Sequence, residues 1–581
     1  MPNYKKGTRG NIARNNTRKR KFQGNQFTNN EGEKFEASVS HDHSASGKKL
    51  HARDSEDIIT NPLHGYRIIE FFTVFTALSE IVKCSVCNQK IKFNECSSRG
   101  LGFKIVVTCP CGNKTINSGP FINNGFEINR RIVFIMRLLG VGREGINLFC
   151  NLMDLCTGLS KSCYANIVEH IYNTVKLSFE FLSQKAVKEE MEKNVEQGRE
   201  KNILKVSGDG TWKKRGFKSN YGVATLIGYY SGKVIDLKTK SSYCQGCIYW
   251  KNKTHTEEFR KWIEYHEDEC QKNHEGSSGK MEVDAMKEMF STSEEKFGVK
   301  YGNYIGDGDS KTFKAILDLE PYGNELPVVK SECIGHVEKR MGSRLRNVRK
   351  EKKLSGRGKL TDKVVKKLTK YYGLSIQRNV NSVENMKKAI MATYDHIFST
   401  TENPQHDNCP VGVDSWCKWQ KAIAQNRDPR KENLAPLLGE DLKQHLLPIY
   451  QDLSKDDLLE RCLGGHTQNA NESFNATVWR LSPKHLHSGL KVVEISAYIA
   501  AGIFNEGYTS VLRIMNLLNL NIGTYAKIFA DSTDEERITR QNRKSLSETK
   551  DARSARRQHQ IDENQLFEEE EGLLYGPGIA N

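Results

Sequence analysis

The sequence predicts a mixed α/β core interrupted by an all-α insertion, with a small zinc ribbon and a helical module ahead of it. Three observations predict this. Short apolar runs stop at Asp209 and at Asp307, with a helix-containing stretch between them, the pattern of an α/β core. After about residue 346 the chain is highly charged and helical, with no clear strand before Glu472. Upstream, two close cysteine pairs sit at hairpin distance.

Residues 1–62 are rich in Asn, Gly, Ser, Lys and Arg and too poor in apolar side chains to offset the entropy of ordering, so a disordered basic tail is expected. Within it Arg18-Lys19-Arg20-Lys21, with Lys5-Lys6 upstream, suits nuclear import or a DNA-contacting arm, or else a solvated tail; the rest of the chain tips the balance toward the nucleus. Residues 63–118 read as the zinc ribbon. Cys84-x2-Cys87 and Cys109-x-Cys111 are separated by 21 residues, with β-rich Phe103 to Thr108 leading into the second pair. Two knuckles of this kind supply four tetrahedral thiolates. Gly112 helps the second knuckle turn, and Cys96 is a spare.

Residues 119–200 read as helical. Ile128, Ile132, Ile135, Leu138 and Leu139, then Leu148, Leu152 and Leu155, recur near helical spacing, with Gly140 and Gly142 between helices. Such a module could read DNA or simply pack. The core begins at 201 and its first part runs to 345: Ile203, Leu204 and Val206 lead into Asp209, strands follow at Gly222 to Tyr230 and Lys233 to Lys238, and a later strand ends at Asp307. Residues 346–465 form the insertion, 466–520 the final part of the core, and 521–581 a charged tail with an exposed helix, ending beyond Glu568 to Glu571.

A net charge of +17 and a pI near 9.1 point to a polyanionic partner. No stretch is long and apolar enough to span a bilayer, since Glu70 and Glu80 interrupt Ile68 to Val82, and the N-terminus lacks the apolar region of a secretory signal. Fifteen cysteines in a reducing compartment read as zinc before disulfide. A second zinc set is therefore expected in an insert at about 240–290, Cys244-x2-Cys247 with Cys270-x3-His274, leaving His255 and His266 as surface histidines. A third set, His406, Cys409 and Cys417 with distant Cys462, is either a group of buried thiols or a metal clip on the insertion. The densest basic stretch, Lys339 to Lys370, includes Arg340, Arg344, Arg346, Arg349, Lys350, Lys352, Lys353, Arg357 and Lys359 and reads as a phosphate-tracking surface, with a solvated face as the plain alternative. Trp416 and Trp419 are either core residues or a stacking platform for a displaced base.

Hard divalent cations take oxygen ligands, and two Mg²⁺ (or Mn²⁺) ions about 4 Å apart can stabilise both the attacking and the leaving oxygen of a phosphodiester. Asp209 and Asp307 on strands and Glu472 on a helix are candidate ligands; singly each is more often a turn or capping carboxylate, but jointly they suggest one site. Asp209-Gly210-Thr211, Asp307-Gly308 followed by Phe313-Lys314-Ala315-Ile316, Cys333-x2-His336 and Glu472-Ser473-x-Asn475 resemble, in that order, the motifs of the Mutator-like transposases, DDE-class enzymes. The resemblance covers about residues 65–520. It implies a ribonuclease H-like core, the catalytic triad Asp209, Asp307 and Glu472, a supporting role for Cys333 and His336, and an oligomer acting on double-stranded DNA. Asp309 stands as the alternative to Asp307. The implied reaction is hydrolysis at element ends followed by attack of the freed 3′-hydroxyl on target DNA. Two rival functions are a transposase-derived DNA-binding or regulatory protein that no longer cuts, and a nuclease without strand transfer.

Overall fold

The computed structural model describes residues 45–50, 58–214, 219–267, 269–307, 310–356, 359–400, 402–413, 415–431 and 438–545. The basic runs at 5–6 and 18–21, Asp309, Arg357 and the acidic tract 568–571 lie outside the described residues. The described elements make a mixed α/β structure.

At the N-terminal side, helix Phe71–Ile81 begins at Glu70, whose carboxylate accepts hydrogen bonds from the Phe72 and Thr73 backbone N–H groups, as an N-cap does. The helix lays Phe71 and Phe75 on an antiparallel sheet of β1 (Lys92–Arg99), β2 (Gly102–Cys109) and β3 (Gly112–Asn117). Ring centroids lie 5.7 Å apart for Phe71 and Phe103 and 5.1 Å for Phe75 and Phe93. A short hairpin of β4 (Phe121–Ile122) and β5 (Gly125–Phe126) leads into helices Glu127–Leu138, Arg143–Leu152 and Lys161–Glu196. The last has 36 residues, about 54 Å of helix. Its buried stripe of Val168, Ile171, Val175, Phe179, Leu182 and Ala186 has the spacing of one helix face.

That helix lies against a five-stranded sheet of β6 (Ile203–Trp212), β7 (Tyr221–Gly228), β8 (Val234–Ser241), β9 (Lys300–Gly306) and β10 (Val329–Glu332). The spatial order is β10-β9-β6-β7-β8. β6, β7 and β8 form an antiparallel meander, while β9 and β10 run parallel to β6. Parallel neighbours require crossovers, and the helices Ser278–Ser291 and Ser310–Leu319 lie within the two connections. Side chains alternate between two cores. Val223, Ile227, Val234 and Leu237 join the core shared with helices Lys161–Glu196, Asn469–Leu481 and Leu490–Glu506. Ala224, Leu226 and Ile235, with Leu204 and Val206, join Met286, Met289 and Phe290 of helix Ser278–Ser291.

Two details differ from the sequence reading. β6 does not stop at Asp209 but continues to Trp212, with Asp209 paired to Thr225 of β7. β10 carries no apolar run, because three of its four residues are Lys330, Ser331 and Glu332, so the sequence gives no strand signal there. Between β10 and Gln468 every described element is helical, and Ile334–Glu351, Asp362–Gln377, Val383–Phe398 and Lys443–Asp452 share a core of their own around Leu345, Leu368, Tyr372, Ile390 and Tyr450. After Glu472 the described chain is helical as well; its last helix, Thr524–Ser545, begins before the charged stretch and is tied down by Asp534, which accepts from the Tyr508 N–H at 3.0 Å. No described helix is long and apolar enough to cross a membrane.

Candidate active site and metal centres

Asp209 lies on the side of β6 that faces helix Asn469–Leu481, and four side chains fasten that helix to the strand. Gln468 donates to the Gly208 carbonyl at 2.6 Å. Asn471 accepts from the Ser207 hydroxyl at 2.7 Å and donates to the Ser207 carbonyl at 3.1 Å. Asn475 donates to the Asp209 carboxylate at 2.7 Å, and the Trp479 indole donates to the Thr211 hydroxyl at 2.9 Å. Positions 468, 472, 475 and 479 follow one another at four, three and four residues, which puts Glu472 on the same helix face as the residues that grip β6. The Glu472 side chain is 60 % exposed, with the Lys339 ammonium 3.7 Å from its carboxylate.

The two strand-borne aspartates are near neighbours. Parallel pairing of β6 with β9 reaches Ser207 opposite Ile305, and two further residues of that register bring Asp209 and Asp307 side by side. Burial, and then the negative charge of Asp307, push the Asp209 carboxyl up to about 6, against the Asn475 hydrogen bond, which acts the other way. Cys333 follows β10 and its N–H donates to the Gly306 carbonyl at 3.2 Å, so it stands next to Asp307 on the other side. Hydrogen bonding to the Cys333 thiol raises His336 above its ordinary range, and Asp307 adds to the effect. The second ring nitrogen, Nδ1, lies 2.9 Å from the Gln468 amide oxygen. Asp209, Asp307, Cys333 and His336 thus belong to one electrostatic neighbourhood, which Gln468 connects to the helix of Glu472. Gln468 was not singled out in the sequence; its only signal is its place four residues before Glu472.

The glycines flanking Asp209 have a steric role rather than a turn role. A Cβ on Gly208 would lie 2.4 Å from the Tyr304 ring, and one on Gly210 would lie 2.5 Å from the Glu282 carboxylate. Both face helix Ser278–Ser291 and β9, so their absence of side chains lets the sheet and that helix close behind the aspartate.

Among the described residues, three groups of side chains could each hold a metal ion, the ligand atoms of each group lying within 4.8 Å of one another. Around zinc, sulfurs bound at about 2.3 Å in a tetrahedron would be about 3.8 Å apart. In the first group, Cys84, Cys87, Cys109 and Cys111, the Cys84 sulfur is 3.4 Å from that of Cys111 and 3.5 Å from that of Cys109. The backbone N–H groups of Cys87 and Val86 hold the Cys84 thiol down to about 6, favouring the thiolate that a metal takes. Cys96 is outside the group.

The second group consists of Cys244, Cys247, His266 and Cys270. His266 replaces the expected His274: its Nε2 lies 3.4 and 3.3 Å from the Cys244 and Cys247 sulfurs, and Trp262 stacks on its ring at 4.0 Å. His274 is buried elsewhere, with Nδ1 3.1 Å from the Asp284 carboxylate and Nε2 3.1 Å from the Ser277 carbonyl. The third group is His396, His406, Cys409 and Cys417. Cys462 does not join it but is fully buried in the helical core beyond β10, and His396 takes the fourth place. Trp416 packs edge-on against His396 and Trp419 stacks on His406, so both tryptophans support this group.

The basic stretch divides in the structure. Arg340 pairs with Glu332 at 2.6 Å, Arg344 with Asp452, and Arg349 with Asp362 at 2.6 Å. Arg346, Lys350, Lys352 and Lys353 are exposed, without an ion-pair partner among the described residues. A comparison with curated proteins finds no match. The family model described as Mutator-like transposase matches residues 65–417, well over half of the chain, and the protein belongs to that family.

Proposed function

We propose that the protein is a DDE-type DNA transposase with a ribonuclease H-like core, cutting DNA at element ends and joining the freed 3′-hydroxyl to target DNA. Family membership supports a transposase that binds DNA and uses divalent metal. The observation that carries the finer reading is the coupling of Asp209 to Asp307 beside a helix that presents Glu472. A buried carboxylate raised to about 6 by its burial and then by a second carboxylate beside it is suited to a cation, which would relieve both. Asp209 and Asp307 would hold Mg²⁺ or Mn²⁺ from the sheet, and Glu472 would complete the donor set from the helix. Bound there, the ions would supply charge stabilisation to the attacking and leaving oxygens.

The chain's own residues do the rest. Asn475 orients the Asp209 carboxylate, and Gln468 fixes the His336 ring beside Asp307. Lys339, next to Glu472, supplies positive charge where a phosphate would approach. Exposed Arg346, Lys350, Lys352 and Lys353 continue that charge along the DNA path, and the three Cys/His groups bind zinc structurally. A nuclear site of action and an oligomer holding paired DNA ends belong to the same reading, resting on the basic run at 18–21 and on the family.

The test is strand cleavage and joining of terminal-sequence DNA with Mg²⁺ or Mn²⁺. Asp209→Ala, Asp307→Ala and Glu472→Ala are each expected to lose at least a thousandfold in rate while still binding DNA. Full cleavage by Asp209→Ala would sink the assignment, and DNA binding without cleavage by the unaltered protein would favour the regulatory alternative.

A further inference from the structure

We propose that a cationic pocket built around Lys213 binds a backbone phosphate of the DNA strand processed at Asp209. The proposal rests on the reading of Asp209 and Asp307 as the reacting centre. A cavity of about 410 Å³ is lined by, among others, Lys213, Lys214, Asn220, Tyr243, Lys484 and His487, and no carboxylate is among the described residues that line it. Lys213 is only 6 % exposed, and its ammonium has no hydrogen-bond partner among the described residues. A buried, unpaired cation is strongly unfavourable unless an anion completes it.

A second cation compounds the demand. Arg137 is 7 % exposed, its Nε likewise lacks a partner among the described residues, and its charge bears on Lys213. Burial, then Arg137 and Lys214, lower Lys213 to about 8. A lysine kept for packing alone would be given a carboxylate or a carbonyl. Here two cations come together and, among the described residues, neither kind of partner reaches the Lys213 ammonium, which is the chemistry of a phosphate site.

Position identifies the phosphate. The Lys213 N–H donates to the Tyr221 carbonyl at 3.1 Å, extending the β6–β7 ladder one residue past Trp212. Residues 209, 211 and 213 therefore alternate onto one side of the strand, the side where Asn475 meets Asp209 and Trp479 meets Thr211. The opposite wall, Lys484 to Ser488, follows directly from the helix that carries Glu472, and Lys484 lies over the Trp479 ring at 5.1 Å. Four residues of strand span about 13 Å. A duplex strand carries one phosphate per about 3.4 Å of axis, so the pocket meets the backbone within about four nucleotides of the cut. Free inorganic phosphate shares this chemistry, and the experiment separates the two sources.

The experiment measures affinity for a mixed-sequence duplex across a salt series, using the full chain without added divalent metal. Lys213→Met is expected to bind about tenfold more weakly and to lower the salt slope by about 0.9. Its melting temperature should equal or exceed that of the unaltered protein, because a lone buried charge is gone. Should that variant fail to fold, Lys484→Ala at the exposed rim is expected to show the same reduced slope. On DNA that the protein cuts, a single neutral methylphosphonate link within about four links of the cut should weaken binding by the unaltered protein and not by Lys213→Met. An unchanged salt slope in a folded Lys213→Met overturns the proposal. So does equal sensitivity of both proteins to the neutral link, or a pocket that binds inorganic phosphate while DNA affinity ignores the substitution. Asp209→Asn, measured alongside, keeps the two readings apart: cleavage by that variant would defeat the catalytic assignment, whereas the Lys213 results are read from binding alone.

Discussion

Asp209 is a carboxyl group whose folded environment favours the proton. Its folded value of about 6 stands above the ordinary aspartate range, so between pH 4 and 6 the native state binds more protons than the unfolded chain and stability falls as pH rises through that window. Above it the penalty is fully present, about 2 kcal/mol once partial solvent screening is allowed for. Asp209→Asn removes the charge and can still accept from Asn475. It is therefore expected to melt higher than the unaltered protein at pH 8 without added Mg²⁺, with the advantage gone at pH 4. Added Mg²⁺ should raise the melting temperature of the unaltered protein and leave the variant where it was; thermal denaturation at the two pH values checks both. The aspartate was legible from its Gly-Asp-Gly context. What that context concealed was the reason for the glycines, which is the approach of Tyr304 and Glu282 from behind the strand rather than a turn.

Helix Asn469–Leu481 is held to β6 through polar contacts as much as through its buried Phe474 and Val478. Asn471 is fully buried and satisfies the hydroxyl and the carbonyl of Ser207 together. Asn471→Ala leaves the hydroxyl without its acceptor and takes one of two donors from the carbonyl, and is expected to cost about 1–3 kcal/mol. Because the same helix presents Glu472, cleavage should fall further than the lost stability explains; chemical denaturation and strand-cleavage rates on one preparation separate the two effects. At this scale periodicity made the apolar strands and helices legible, but not β10. That strand sits at a sheet edge and buries Glu332 at 1 % exposure, with Arg340 and Lys330 around it. A strand that buries a charge through ion pairs has no apolar signature to read.

At the scale of the molecule, the described residues combine cores built on the sheet with a helical core and three compact Cys/His groups. The expected zinc content is three ions per chain by elemental analysis. His266→Ala should bring it to two, while His274→Ala should leave it at three; the opposite result would restore the spacing-based assignment. Sequence could not choose between these histidines, since each stands four residues from Cys270, one before and one after. The fold decides, because helix Glu257–His266 brings its last residue to the cysteines while His274 turns to Asp284. The same limit hid His396, which reaches the third group across the end of helix Val383–Phe398, and made Cys462 look available. Spacing along a chain identifies ligands within a knuckle, whereas a ligand delivered by a separate helix depends on packing.

The contact between Ser207 and Asn471 spans 264 residues. Synthesis proceeds at about 5–20 residues per second, so roughly 13–50 s separate the appearance of the two halves. Asp307 appears partway through that interval, and from then on both aspartates are made while the helix that would bring Glu472 to them has not left the ribosome. On the proposed catalytic reading, a nascent chain therefore lacks one of its three carboxylates until the helix of Glu472 has been synthesised and docked on β6.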